Sequence, residues 1–223
     1  MHGEQHSTPC PREPIHRPTL PTKHRHSHIK SKPTSSLTTS ILLQMAVSHF
    51  QTETYTPDTL TESAGTVPFR LSTREICILH YPARDEYLLP KGRRRIGESR
   101  ADAAVRETRE ETGVSCRLLP VDLLCLAEGP AGEGDADEAR VHEDVCEPIQ
   151  VQVRKLSDGR VKMIWWFVGV VKEGVPAEKC EEEFTVGFYE YEDAVRRLTF
   201  ADDRELARRA IALVEAASKR RLP

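Results

Sequence analysis

The chain has no apolar run approaching the roughly 20 residues that a helix needs to cross a bilayer. Its longest apolar stretch near the N-terminus, Ile41 to Val47, is short and broken by Gln44. It also has no excess of positive charge: 32 Lys and Arg stand against 35 Asp and Glu, a formal net charge of -3. That excludes a global basic field of the kind that attracts nucleic acid. Aromatic residues are not interleaved with the basic run Lys91 to Arg95, so a base-stacking platform for single strands has no basis either. The six cysteines, Cys10, Cys77, Cys116, Cys125, Cys146 and Cys180, form no CxxC pair, which removes the usual zinc spacing. Nothing resembles a secretory signal, so reduced thiols in a cytosolic or nuclear compartment are expected.

What is present divides in two. Of the 223 residues, 38% are hydrophobic and 30% charged, ordinary for a soluble domain with a tail. Residues 1–58 are rich in Pro, Ser, Thr and His and poor in large apolar side chains. Such a segment buries too little surface to offset chain entropy, and a disordered tail is expected. His24, His26 and His28 alternate as ligands on an extended chain would, although a solvated polar tail is the plainer reading. Arg12, Arg17, Lys23, Arg25, Lys30 and Lys32 against Glu4 and Glu13 give a faint likeness to a mitochondrial transit peptide. The prolines argue against the amphipathic helix this would need.

Residues 59–223 read as the folded domain. Strands are expected over 66–71, 75–81 and 86–89, with a turn at Pro82 to Asp85. Residues 99–112 read as a helix, since Ser99 and Asp102 resemble a capping box and Gly113 stands where a helix-ending glycine belongs. Residues 114–119 are β-like and 121–126 apolar. Residues 128–149 hold eight acids against Arg140, which predicts a mobile acidic insertion. A hairpin is expected over 150–155 and 161–171 around Ser157-Asp158-Gly159, then a strand over 184–189. Helices are expected over 192–198 and 202–218, the latter with Leu206, Ala210, Leu213 and Ala217 at helical spacing. The mixture predicts an α+β fold, an α/β/α sandwich around a mixed sheet.

The chemistry is concentrated in one stretch. It reads Gly92, five residues, Glu98, seven residues, Arg106-Glu107, two residues, Glu110-Glu111, Thr112, Gly113, Val114. At about 100° per residue, Ala101, Ala104, Val105, Thr108 and Thr112 share a helix face that can pack on a sheet. Glu107, Glu110 and Glu111 fall on the stripe beside it, together with Ala103, whose small side chain would leave room for a metal or a phosphate. Three carboxylates so close repel one another unless a cation sits between them. Oxygen ligands alone suit Mg²⁺ or Mn²⁺ rather than zinc. The bland alternative is a solvated acidic face paired with Arg106 and Arg109. Gly92 and Glu98 at their fixed distances argue for a site instead. Gly92 permits close backbone approach, and the triple Arg93, Arg94, Arg95 that follows offers bidentate phosphate donors.

This pattern resembles the Nudix signature at every charged and glycine position, with Thr108 standing where the family often has an aliphatic residue. Seven fixed positions at average residue frequencies would recur by chance in roughly one chain per million. The resemblance implies a Nudix fold and Mg²⁺-dependent hydrolysis of a diphosphate linkage, with Mn²⁺ as the other cation. It implies that the Gly92 carbonyl with Glu107, Glu110 and Glu111 holds the metal. The general base is then Glu107, Glu110 or a fourth carboxylate from Glu181, Glu182 or Glu183. Arg106 would orient the helix carboxylates, Glu98 would brace the loop, and Lys91, Arg93, Arg94 and Arg95 would bind substrate phosphates. The lead-in Leu89-Pro90-Lys91-Gly92 resembles that of enzymes acting on dinucleoside polyphosphates, diphosphoinositol polyphosphates and capped RNA. A small anionic phosphorylated substrate is therefore expected, with diphosphoinositol and diadenosine polyphosphates foremost and nucleic acid entering only as capped RNA. Pro130, 16 residues past Val114, keeps an ADP-ribose hydrolase in view. A Nudix-fold protein that binds ligands without hydrolysis is the remaining class. Trp165 and Trp166 would either stack a base or fill the core.

Overall fold

A computed structural model of the protein describes residues 50–128 and 138–221. Strands β1 (Leu60–Arg70), β2 (Glu75–Tyr81), β3 (Glu86–Leu88) and β4 (Lys91–Arg93) precede helix α1 (Arg100–Thr112). Strands β5 (Cys116–Leu118), β6 (Val121–Cys125), β7 (Arg140–Val145), β8 (Gln150–Lys155), β9 (Val161–Val171) and β10 (Thr185–Glu190) follow. Helices α2 (Tyr191–Arg197) and α3 (Ala201–Arg221) come last. The described residues from Gln51 onward form one compact unit, and Glu53 within it pairs with Lys155 at 2.5 Å. The tail expected over 1–58, with its histidines, lies outside the described residues up to position 49.

Eight strands make one sheet in the order β10-β2-β1-β9-β5, with β3 joined to β2, β4 to β1 and β8 to β9. The pairing of β1 with β9 is parallel and the other pairings are antiparallel, so the sheet is mixed as expected. The middle of β9 is almost continuously apolar because both its faces are covered. On one face Val67, Phe69, Ile164, Trp166 and Val168 meet Leu206, Ala207, Ala210 and Val214 of α3. On the other, Ala64 and Phe167 meet Ala103 and Ala104 of α1. Small residues in the middle of β1 let α1 lie close, and a hydrogen bond of 2.8 Å joins Thr66 Oγ1 to Thr108 Oγ1 beneath it. The threonine at this position thus has a buried polar partner rather than an unmet hydroxyl.

Helix α1 is fixed at both ends as its sequence predicts. The Ser99 hydroxyl accepts the Asp102 backbone N–H at 3.0 Å, and Gly113 ends the helix at φ 68° with its N–H on the Arg109 carbonyl. Its rotation corrects the expected face. The buried residues are Ala103, Ala104, Glu107, Thr108, Glu111 and Thr112, whereas Ala101 and Val105 are only half-buried. Ala103 therefore packs on the sheet and does not open space for a metal or phosphate. The helix rolls toward its carboxylates because glycine at position 92 leaves Glu107 room to enter.

Part of the expected acidic loop is a strand. Arg140–Val145 pairs with Val121–Cys125 as a separate two-stranded ribbon. Local charge is met there: the Asp122 carboxylate accepts the Asp144 N–H, and Arg220 of α3 pairs with Asp122, Glu143 and Asp144. Residues 129–137, including Pro130, lie outside the described residues. Cys77, Cys116, Cys125, Cys146 and Cys180 are free thiols. No helix among the described residues is long and apolar enough to cross a membrane.

Candidate active site

The site is built where β4 crosses the C-terminal half of α1. β4 is hydrogen-bonded to β1, which places Gly92 opposite Ala64 and directly over the helix. A Cβ on Gly92 would lie 1.8 Å from Glu107 Oε2, so no other residue fits without displacing that carboxylate. One position earlier the Lys91 backbone N–H donates to Glu111 Oε2 at 2.8 Å. The loop thus bonds to one helix carboxylate and packs closely against another.

Arg106 organises the rest. Its guanidinium donates to Glu98 at 2.6 and 2.9 Å, to Glu107 Oε1 at 2.6 Å, to Glu110 Oε2 at 2.7 Å and to the Arg93 carbonyl at 2.9 Å. Glu98 in turn accepts the Arg95 backbone N–H at 2.9 Å, tying the loop shut at its far end. The Arg106 hydrogen bonds outweigh desolvation and hold the Glu98 carboxyl down at about 2. The same bonds, first to Glu98 and then to Glu107 and Glu110, raise the pKa of Arg106 further. Glu111 behaves oppositely. Burial, reinforced by the charges of Glu107 and Glu181, pushes its carboxyl up to about 7 against the pull of Lys91.

The residues suit a divalent cation by donor type, and one feature of their arrangement matters. Among the described residues no three ligating side chains converge on a point. Arg106 stands between Glu107 and Glu110, and Arg95 holds the other oxygen of Glu110 at 3.1 Å. Glu107 Oε2 and Glu111 Oε1 have no hydrogen-bond partner among the described residues. Two nearly buried carboxylates, each about 9% exposed and each with an unmet oxygen, are the environment an oxygen-seeking cation stabilises.

The basic run divides by role. Arg94 donates to Glu62 at 2.9 Å and to the Glu98 carbonyl at 2.9 Å, while Arg95 is paired with Glu110. Arg93 and Lys91 make no salt bridge among the described residues. Glu62 was invisible to motif reading, because it lies in β1, well before the box, and carries no spacing signal. It accepts from Arg94, from Arg100 at 2.7 and 3.0 Å and from the Trp165 indole at 3.2 Å. Burial opposes its charge, but Arg100 and Arg94 outweigh that and hold its carboxyl below the usual range. Glu62 reaches the box through Arg94 and the Glu98 carbonyl. Glu62→Ala is expected to lower turnover about tenfold and to raise the Mg²⁺ concentration for half-maximal rate, with Glu62→Gln recovering part of the loss. A magnesium titration of both variants checks this, since a role confined to stability would leave the half-saturation point unmoved.

Of the three distal carboxylates, Glu181 is the one that feels the helix: burial, Glu183, Glu107 and Glu110 together raise its pKa. Glu182 is paired with Lys179 at 2.6 Å. Glu181, Glu178 and Cys180 face Glu110, Arg95 and Arg109 across an open cleft of about 400 Å³. Trp166 is fully buried, and Arg100 covers the Trp165 ring at 3.7 Å.

Comparisons with known proteins bear on this arrangement. No curated protein sequence matches the chain significantly. An Ap4A hydrolase from C. elegans, solved as a binary complex, is 21% identical over 70% of this chain and 98% of its own, with a TM-score of 0.50. A NUDIX hydrolase from Nitrosomonas europaea is 16% identical over 70% of this chain and 89% of its own, with a TM-score of 0.45. At these identities the first likeness speaks for the fold alone. The sequence profile of the NUDIX domain matches residues 60–210, well over half of the chain and spanning the sheet, the box and the start of α3. The protein therefore belongs to the Nudix family of hydrolases, which act on phosphoric anhydride bonds.

Proposed function

We propose that the protein hydrolyses a diphosphate linkage in a small, multiply phosphorylated substrate, with diphosphoinositol polyphosphates and diadenosine polyphosphates foremost. The observation that carries this reading is the placement of Gly92 against Glu107, with Glu107 and Glu110 held by Arg106 and Glu111 held by the Lys91 N–H, beside two cations, Lys91 and Arg93, that make no salt bridge among the described residues. A Mg²⁺ ion, held by the Gly92 carbonyl and the three glutamates, would neutralise diphosphate charge and acidify an attacking water. Arg106 keeps Glu107 and Glu110 in fixed rotamers, and Glu98 keeps Arg106 in place. Glu107 or Glu110 takes the proton from water, with Glu181 the distal alternative because it shares their field. Lys91 and Arg93, which make no salt bridge among the described residues, are better suited to substrate phosphates than Arg94 and Arg95, which are occupied.

The test is phosphate release with Mg²⁺ across diphosphoinositol phosphates, diadenosine polyphosphates, ADP-ribose, capped RNA and oxidised dGTP. The expected result is release that is fastest on the first two and abolished by EDTA. Preference for ADP-ribose or capped RNA would overturn the substrate assignment. Release from none would leave a ligand-binding Nudix-fold protein.

A further inference from the structure

Side chains alternate across a sheet, so register decides which residues share a face. On the α3 side, Arg154 of β8 stands beside Lys162 of β9, which stands beside Thr61 of β1. The next row reads Gln152, Ile164, Ser63 and Arg93, and the one after it Gln150, Trp166, Gly65 and Lys91. A Cβ on Gly65 would meet Lys91 Cβ at 2.6 Å and the Trp166 ring at 2.8 Å, which fixes Lys91 on this face. Three strands, β8, β9 and β4, therefore present four cations, Arg154, Lys162, Arg93 and Lys91, around a floor that contains Ile164, with β1 between β9 and β4.

Three of the four, Lys162, Arg93 and Lys91, make no salt bridge among the described residues. Arg154 rests on Gln152 Oε1 at 3.2 Å and lies 3.8 Å from Asp203, a residue 3% exposed. Gln152 Oε1 also accepts the Trp166 indole at 3.0 Å, which fixes the amide and leaves its buried Nε2 without a partner. Ser63 Oγ is likewise buried without a hydrogen-bond partner, and Asp203 Oδ1 has only the longer ion pair with Arg154. Burial, with the charges of Lys91, Arg154 and Arg93, pushes the Lys162 ammonium down to about 8. The cations are thus near enough to repel one another in partly desolvated positions.

We infer that this face is an anion subsite, distinct from the metal-holding box, that receives a small molecule bearing several phosphates. Strand spacing spreads the four Cα atoms over a field on the order of 15–20 Å, too wide for all four side chains to meet on one phosphate. A compact frame carrying phosphates in several directions, or a linear oligophosphate, can engage them together. Lys91 links the two sites, since its backbone N–H holds Glu111 while its side chain lies on the cationic face. The inference rests on and deepens the hydrolase reading, because it makes phosphates beyond the cleaved linkage a requirement for tight binding.

The test needs neither metal nor turnover, so it can fail independently of that reading. Calorimetry of the full chain in EDTA compares myo-inositol hexakisphosphate, inorganic tripolyphosphate and orthophosphate. At least one polyphosphate is expected to bind about tenfold or more tightly than orthophosphate, with an affinity that falls as salt rises. The tighter of the two identifies a cyclic or a linear frame. Arg154→Met with Lys162→Met is expected to weaken that binding at least about tenfold. Lys162→Arg, which keeps the charge, should retain it, as should Arg208→Met on the exposed side of α3. Wild-type affinity in the double Met variant, or polyphosphates bound no better than orthophosphate, would overturn the inference.

Discussion

Glu111→Gln is expected to lower Mg²⁺-dependent turnover by about two to three orders of magnitude while leaving the melting temperature unchanged or slightly raised. The carboxylate is about 9% exposed and is met in the fold by a single backbone donor, the Lys91 N–H. A glutamine oxygen accepts that same bond, so the loop stays on the helix. What disappears is the charge, which burial and its acidic neighbours already disfavour. Removing a buried charge that lacks a partner does not destabilise the fold. The two effects therefore separate, and a parallel measurement of rate and melting reads them. Full activity in this variant would remove Glu111 from the site.

Arg106→Ala should have the opposite signature, losing stability as well as rate. One guanidinium holds Glu98, Glu107 and Glu110 and the Arg93 carbonyl, and its side chain is 15% exposed. Its removal leaves Glu98 and Glu107 without an ion-pair partner and Glu110 with Arg95 alone, in a partly buried setting, at a cost of about 3 kcal/mol. For a domain of this size that corresponds to a fall in melting temperature of roughly 10 °C. Saturating Mg²⁺ should restore part of the loss, because a cation among the same carboxylates replaces some of the missing charge. Calorimetric melting with and without Mg²⁺ checks both halves. A variant that melts like the wild type would show that Arg106 is not the hub of the box.

The contrast between these two residues shows what the sequence could carry. The box, the caps of α1 and the hairpin around Gly159 were all legible, because each depends on short-range spacing with a local physical cause. The roll of α1 was not. The apolar pattern favoured Ala101 and Val105 for the buried face, yet the helix turns its carboxylates inward because β4, folded back from before the helix, offers a glycine there. Glu62 was hidden for a related reason: in sequence it is a polar residue near the start of a strand. Only the pairing of β1 with β4 and β9 brings it to Arg94, Arg100 and Trp165. The cationic face depends likewise on four strands in register, and single charged residues in β8 and β9 give no hint of each other. The acidic composition of 128–149 pointed to a loop, whereas Arg220 in α3 supplies the opposing charge that lets part of it pair as a strand.

The chemistry proposed for the Gly92–Val114 box is cleavage of a phosphoric anhydride by water directed at phosphorus with the help of a divalent cation. Turnover of a diphosphoinositol phosphate in water labelled with heavy oxygen tests it directly, with product phosphates read by mass. One heavy oxygen per bond cleaved, carried by a single product phosphate, and no cleavage in EDTA are expected. Release that persists in EDTA, or a labelled oxygen found on carbon rather than on phosphorus, would contradict it.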